Sequence, residues 1–230
     1  MNSISASQKL PTARQAALAQ QFSDFVLDPA YPCLGAKSAF RTDSYHVRCY
    51  RALGTDTSAQ LLGPDLLHFI AARETMDHNF STFVAIFDDP VVRDEAQFEE
   101  LLWQQLDALH RVDEQPWAPN ASSDPDDNNF GFSFGGVAFF VVGLHPRSAR
   151  QARRFVRPTL VFNDHRQFDQ LRSQGKFAKM QRVIRDRDQA WQGTANPMLA
   201  DFGTVSEARQ YSGRAVPAEW KCPFHAKPQA

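Results

Sequence analysis

Eight residues, Val137 to Leu144 (Val-Ala-Phe-Phe-Val-Val-Gly-Leu), run with no charged or hydrogen-bonding side chain. Gly135-Gly136 stands directly before them, where a backbone can bend or approach a neighbour closely, so the run predicts a buried strand. Thr82 to Phe87 predicts a second strand, ended by Asp88-Asp89-Pro90. Tyr45 to Tyr50 alternates as a third, and Pro158 to Phe162 is a short fourth. Helices separate these runs. One starts at Pro11, carries Leu18, Phe22, Phe25 and Val26 on one face, and stops before Pro29. Another covers about 95–110, where Phe98, Leu101, Leu102, Gln105, Leu106 and Leu109 trace one stripe and Asp94 and Glu95 suit the positive end. Asn163 or Asp164 caps a helix carrying Phe168 and Leu171 that Gly175 can terminate. A further helix over about 176–191 turns Phe177, Met180, Ile184 and Trp191 inward. Thr204-Val-Ser-Glu207 has capping-box spacing for a short helix over 205–212, closed by Gly213.

Strands and helices mix without a repeating βα rhythm. The expectation is α+β: a small, mainly antiparallel sheet covered by helices, in one domain over residues 11–225 behind a flexible tail at 1–10. Residues 115–129 hold three prolines, a run of Asp and Asn and little apolar content. They predict a mobile surface loop, an insertion or lid.

The net charge of −1 argues against a general nucleic-acid binder, but the charges are segregated. Between Asp88 and Asp127 stand twelve acidic and two basic residues; between His145 and Arg187 stand twelve basic and three acidic. The second stretch is either a solvated face or a basic wall for carboxylates. Three cysteines, Cys33, Cys49 and Cys222, show no CxxC spacing and indicate neither a disulfide framework nor a zinc site. With no apolar run fit for a signal peptide or membrane span, the expectation is a cytoplasmic chain without membrane partners.

The polar segments of the C-terminal third are Gly143-Leu-His-Pro-Arg-Ser-Ala-Arg150, Arg153-Arg154-Phe155, Leu160-Val-Phe-Asn-Asp-His165, Asn196-Pro-Met-Leu-Ala-Asp-Phe-Gly203, Ser206-Glu-Ala-Arg-Gln-Tyr-Ser-Gly-Arg214 and Trp220-Lys-Cys-Pro-Phe224. With Tyr31-Pro-Cys33 and Gly35-Ala-Lys-Ser-Ala39 they resemble, in order, the YqcI/YcgG family over roughly residues 20–224. Characterised members of that family are haem-dependent enzymes that hydroxylate nitrogen in amino acids and guanidino compounds. The resemblance therefore implies a haem-dependent N-hydroxylase using haem b, a small cationic amino-acid or guanidino substrate, and an external electron donor or peroxide. The haem would not be covalently attached, because no CxxCH is present. A homodimer is compatible with the chain. The rival reading is a haem or small-ligand carrier or sensor without turnover.

Haem iron needs an axial His or Cys, and its propionates need Arg, Lys or hydroxyl donors. His145 follows a buried strand, precedes a proline and lies beside Ser148, Arg150, Arg153 and Arg154, which makes it the first candidate ligand. Arg150 and Arg154 share a face if this stretch is helical. Cys222, in Cys222-Pro, competes as a thiolate ligand, and His165 is a candidate distal or supporting group. His78 stays open, while His68, in an apolar run, reads as a core residue. Glu207 and Asp201 are the acidic candidates for a cationic substrate, with Tyr211 as a neutral donor and Arg214 for a carboxylate; Glu207 also reads as the capping-box glutamate. Asp201-Phe-Gly203 lacks every accompanying kinase motif, and no 2-His-1-carboxylate spacing supports non-haem iron.

Overall fold

A computed structural model describes residues 10–76, 80–201 and 203–226. The tail expected at 1–10 therefore lies, apart from Leu10, outside the described residues, as does His78. The described chain is α+β, one domain built on a five-stranded, mostly antiparallel sheet with seven helices. In order these are α1 (Thr12–Leu27), α2 (Leu34–Arg41), β1 (Tyr45–Ala52), α3 (Asp56–Arg73), β2 (Thr82–Asp89), α4 (Glu95–Val112), β3 (Phe132–Phe134), β4 (Val137–Leu144), β5 (Thr159–Asp164), α5 (His165–Ser173), α6 (Phe177–Gln192) and α7 (Ala208–Tyr211). The strand order is β1-β2-β5-β4-β3, with β1 parallel to β2 and the other pairs antiparallel.

Local chemistry places most boundaries. α1 follows Pro11, buries Leu18, Phe22 and Val26, and ends at Asp28 before Pro29. The Asp94 carboxylate caps α4 by accepting from the Gln97 amide, and the Asp164 carboxylate caps α5 by accepting from the Arg166 amide. Residues 115–129 form neither helix nor strand. They are held by turn contacts, by the Ala118 amide donating to Ser133 Oγ, and by Ser206 Oγ donating to the Pro125 carbonyl.

Strand alternation divides the apolar side chains between two faces. Phe83, Ala85 and Phe87 of β2, Leu160 and Phe162 of β5, and Phe139 and Val141 of β4 join Leu62, Leu66 and Phe69 of α3 and Phe98, Leu102 and Leu106 of α4 in a dry core. Val84, Ile86 and Leu144 turn the other way, onto Phe22, Val26 and Phe40 of α1 and α2. The second face is only partly filled. Val142 and Val161 are half-buried there, and of α6 only Asp188 is buried. Phe177, Met180 and Ile184 therefore do not pack into a dry core as their periodicity suggests; they wall a cavity.

Candidate functional site

The incompletely covered face opens into a two-lobed cavity, each lobe about 220 Å³. The lobes adjoin at Phe140, Ile184, Leu199 and Gln210, which line both. The first is walled by Phe140 of the sheet, Phe168 of α5, and Phe177, Met180 and Ile184 of α6, with His165 and Glu207 among its polar groups. Arg172, Arg185 and Asp201 also line it, and Arg185 Nη2 pairs with Asp201 Oδ1 at 2.9 Å. The second lies under α1 and α2, against Val142, Leu144 and Val161, and its polar groups include Tyr31, Arg150, Arg153, Asn163 and Asp188.

His165 is the first residue of α5, where the Asp164 cap holds the chain entering the helix. Its ring is buried, with Nε2 3.0 Å from Oε1 of the buried Glu207. Tyr211 Oη contacts the same carboxylate oxygen, lies 3.0 Å from the Phe139 carbonyl, and accepts from the Phe132 amide at 3.1 Å. Burial pushes the Glu207 carboxyl up, opposed by His165 and Tyr211. For His165 burial acts downward, but the hydrogen bond and charge of Glu207 prevail and raise it. The pair thus holds its proton to higher pH than isolated side chains would, as suits acid–base work. The Glu207 carboxylate serves His165 and Tyr211, which corrects the capping-box reading; α7 starts without a side-chain cap.

The polar segment after β4 does not meet at one place. His145 continues the odd-numbered side of β4, the side of Phe139 and Val141, so it faces α4 and stacks on Phe98 at 4.2 Å between ring centroids. It is fully buried and lines neither lobe; Nδ1 accepts from the Arg147 amide and Nε2 has no partner among the described residues. No open face is left on which His145 could carry a haem iron, which corrects the first candidate ligand. Ser148 is buried and its Oγ accepts from the Arg150 amide. Arg150 and Arg154 do not share a helical face. The stretch makes only a 3₁₀ turn at Gln151–Arg153, Arg150 pairs with Asp188, and the exposed Arg154 donates to the carbonyls of Ser148 and Ala149. Arg153 donates to the carbonyls of Gly143, Gln210 and Tyr211.

Three further expectations change. Cys222 is buried in the α3–α4 core, its thiol pushed by burial up to about 12, and it lines neither lobe. Tyr211 likewise lines neither lobe and holds Glu207 rather than meeting a ligand. Arg214 is bound to Glu99, along with Ser212 and the Trp220 indole, and is not among the cavity-lining residues. Asp201 does line the first lobe. Sequence reasoning missed Tyr31, Gln210 and Asp188 as cavity residues; Tyr31-Pro-Cys33 and the 206–214 segment carried the resemblance but gave Tyr31 and Gln210 no role.

The first lobe matches what a haem requires better than the His145 segment does. Its walls are aromatic and aliphatic, and His165 is its imidazole among the described residues. A histidine with one ring nitrogen on a buried carboxylate and the other unbonded has the pattern of a metal ligand. Nδ1 makes no hydrogen bond among the described residues, and the Cε1–Nδ1 edge packs closely on Gly131, where a Cβ would lie 2.6 Å from Cε1 and 3.2 Å from Nδ1. Among the described residues no group of three or more His, Cys, Asp or Glu gathers to hold a bare metal ion, and no helix is long and apolar enough to cross a membrane.

The model of the YqcI/YcgG family matches residues 22–225. Similar curated proteins include the "Uncharacterized protein YcgG" of Bacillus subtilis (strain 168), 30% identical over 207 residues, covering 84% of this chain and 80% of that one. The "Uncharacterized protein YqcI" of the same strain is 27% identical over 205 residues, with the same coverage. No solved structure matches.

Proposed function

Because the chain belongs to the YqcI/YcgG family, we propose that it is a haem-dependent N-hydroxylase whose haem and substrate share the two-lobed cavity. The observation that carries this reading is the apolar first lobe with His165 at its wall, backed by the buried Glu207. His165 would hold the iron; Arg172 and Arg185 line the same lobe, and Arg185 would have to exchange its Asp201 partner to meet a propionate. When bound, haem supplies the activation of oxygen that no side chain provides. The overall step balances as one N–H converted to N–OH. Dioxygen with two electrons and two protons from an external donor, or hydrogen peroxide, supplies the oxygen atom, and the remaining oxygen leaves as water.

The chain's own residues bind, orient and exclude water. Phe140, Phe168, Phe177 and Ile184 keep the lobe apolar, so a charge inside it is felt strongly. Glu207 fixes the imidazole through Nε2, and Tyr211 fixes Glu207. Glu207 supplies negative charge for a cationic amine or guanidinium substrate, and Asp201 adds to it where the substrate takes the place of Arg185.

The test is haemin added to purified protein, followed by absorption, then by mass spectrometry after supply of reductant and oxygen, or of peroxide, with a panel of amino-acid and guanidino compounds. A stoichiometric shifted spectrum and a product heavier by one oxygen atom are expected. His165→Ala removes the spectrum, whereas His145→Ala keeps it. Loss of the spectrum in His145→Ala with retention in His165→Ala overturns the ligand assignment. A protein that leaves the haemin spectrum unchanged overturns the reading as a whole, and haem binding without product makes the protein a carrier or sensor.

A further inference from the structure

We propose that the second lobe, at Tyr31, Arg150 and Arg153, is a carboxylate-binding subsite. As an assignment of substrate orientation it rests on the reading of the cavity as the active site; as a binding site it stands on the geometry alone. Two guanidinium groups line this lobe, and the acid that lines it with them, Asp188, is already engaged by Arg150 through a buried ion pair. Among the described residues Arg153 donates only to main-chain carbonyls, those of Gly143, Gln210 and Tyr211. Carbonyl oxygens solvate a cation but do not neutralise it, so the lobe keeps one surplus positive charge. Arg153 is half-buried, and the loss of water around its charge pulls it down to about 10. Charges drawn even partly out of water are normally paired, so one held only by carbonyls at a cavity wall calls for an anion.

One unsatisfied donor and one uncommitted hydroxyl agree. Arg150, whose side chain is 9% exposed, has a buried Nε without a partner, and Tyr31 Oη makes no hydrogen bond among the described residues. The thiol of Cys33 in the same lobe is raised by burial and stays neutral, so it does not cancel the surplus. A single surplus charge with separate N–H and O–H donors suits a planar, singly charged acceptor. Phe22, Val26, Phe40 and Leu144 around it suit an apolar or methylene body. A substrate anchored here by its carboxylate reaches past Gln210, at the junction, towards the His165 lobe with its other end. A haem propionate carries the same chemistry and is the second source of such a group.

The experiment uses haem-free full-length protein and calorimetric titration with 4-phenylbutyrate and its neutral amide. The acid is expected to bind about tenfold or more tightly than the amide, the difference a charge-assisted contact makes. Arg153→Met abolishes that preference, Arg153→Lys retains much of it, and Tyr31→Phe, which removes one oxygen atom, reduces it in a protein that folds normally. Equal binding of acid and amide by the wild type overturns the proposal. So does a full preference surviving in Tyr31→Phe and in folded Arg153→Met together. Haemin and haemin dimethyl ester then separate the sources. If Arg153→Met weakens haemin but not the diester, the carboxylate held is a propionate; if it affects the two alike while the phenylbutyrate preference is lost, it is the substrate's. Failure to bind haem at all defeats the proposed oxygenase and leaves the phenylbutyrate result intact.

Discussion

His165 Nε2 stands 3.0 Å from Glu207 Oε1 across 42 residues of chain, and both side chains are about nine-tenths buried. That contact joins the start of α5 to the segment leading into α7 at the wall of the first lobe. Glu207→Ala leaves an imidazole and the Tyr211 hydroxyl without their shared acceptor, which should cost about 2–4 kcal/mol of stability. Glu207→Gln keeps a hydrogen-bonding group of the same shape and should fold with a loss nearer 1 kcal/mol, while the proposed N-hydroxylation should fall roughly 10–100-fold through altered support of His165. Urea unfolding set beside product formation checks this. Glu207→Gln with unchanged turnover and Glu207→Ala with unchanged stability would remove any role for the pair.

The His145 ring titrates against stability. Burial first, and then the charge of Arg153, hold its pKa down to about 4, against 6.5 for an unperturbed histidine. Between those values the unfolded chain takes up a proton that the folded chain refuses. The His145 contribution is therefore complete above about pH 6.5 and is lost as pH falls through about 4, amounting to roughly 3 kcal/mol. Urea midpoints of wild type and His145→Gln from pH 7.5 to pH 4 test it. The variant should lose stability less steeply over that interval, and parallel curves would show that the ring is not the titrating group.

Arg150 and Asp188 form a buried ion pair, whereas Arg154 lies exposed against two carbonyls. Asp188→Ala strands a buried guanidinium and should destabilise by about 3 kcal/mol or more. Arg154→Ala should change stability by about 1 kcal/mol or less, since its donors return to water. Thermal unfolding of the two variants decides the matter. Similar shifts in both would mean that the segment behaves as one solvated surface.

What local pattern can encode was legible in the chain. The runs at 82–87 and 137–144 are strands β2 and β4, and the stripes at 11–28, 95–110 and 176–191 are α1, α4 and α6, because period-2 and period-3.6 burial is written into neighbouring residues. α3 escaped: it carries Pro64 inside it and buries Ser58, Ala59, Leu62, Gly63, Leu66 and Phe69 without a clean polar face, so no stripe marks it. The candidate site was legible in its residue types but not in its grouping. His145 follows Leu144 by one position, and one position on a strand exchanges sheet faces; which face stays open depends on how α1, α2 and α6 cover it. Likewise Arg150 meets Asp188 and His165 meets Glu207 across 38 and 42 residues, pairings set by packing of distant segments. Sequence by itself determined most of the elements, the family and the stock of charged side chains. The tertiary structure alone decided that His165 rather than His145 lines the cavity, because strand parity and helix cover act between elements and leave no trace in the spacing along any one of them.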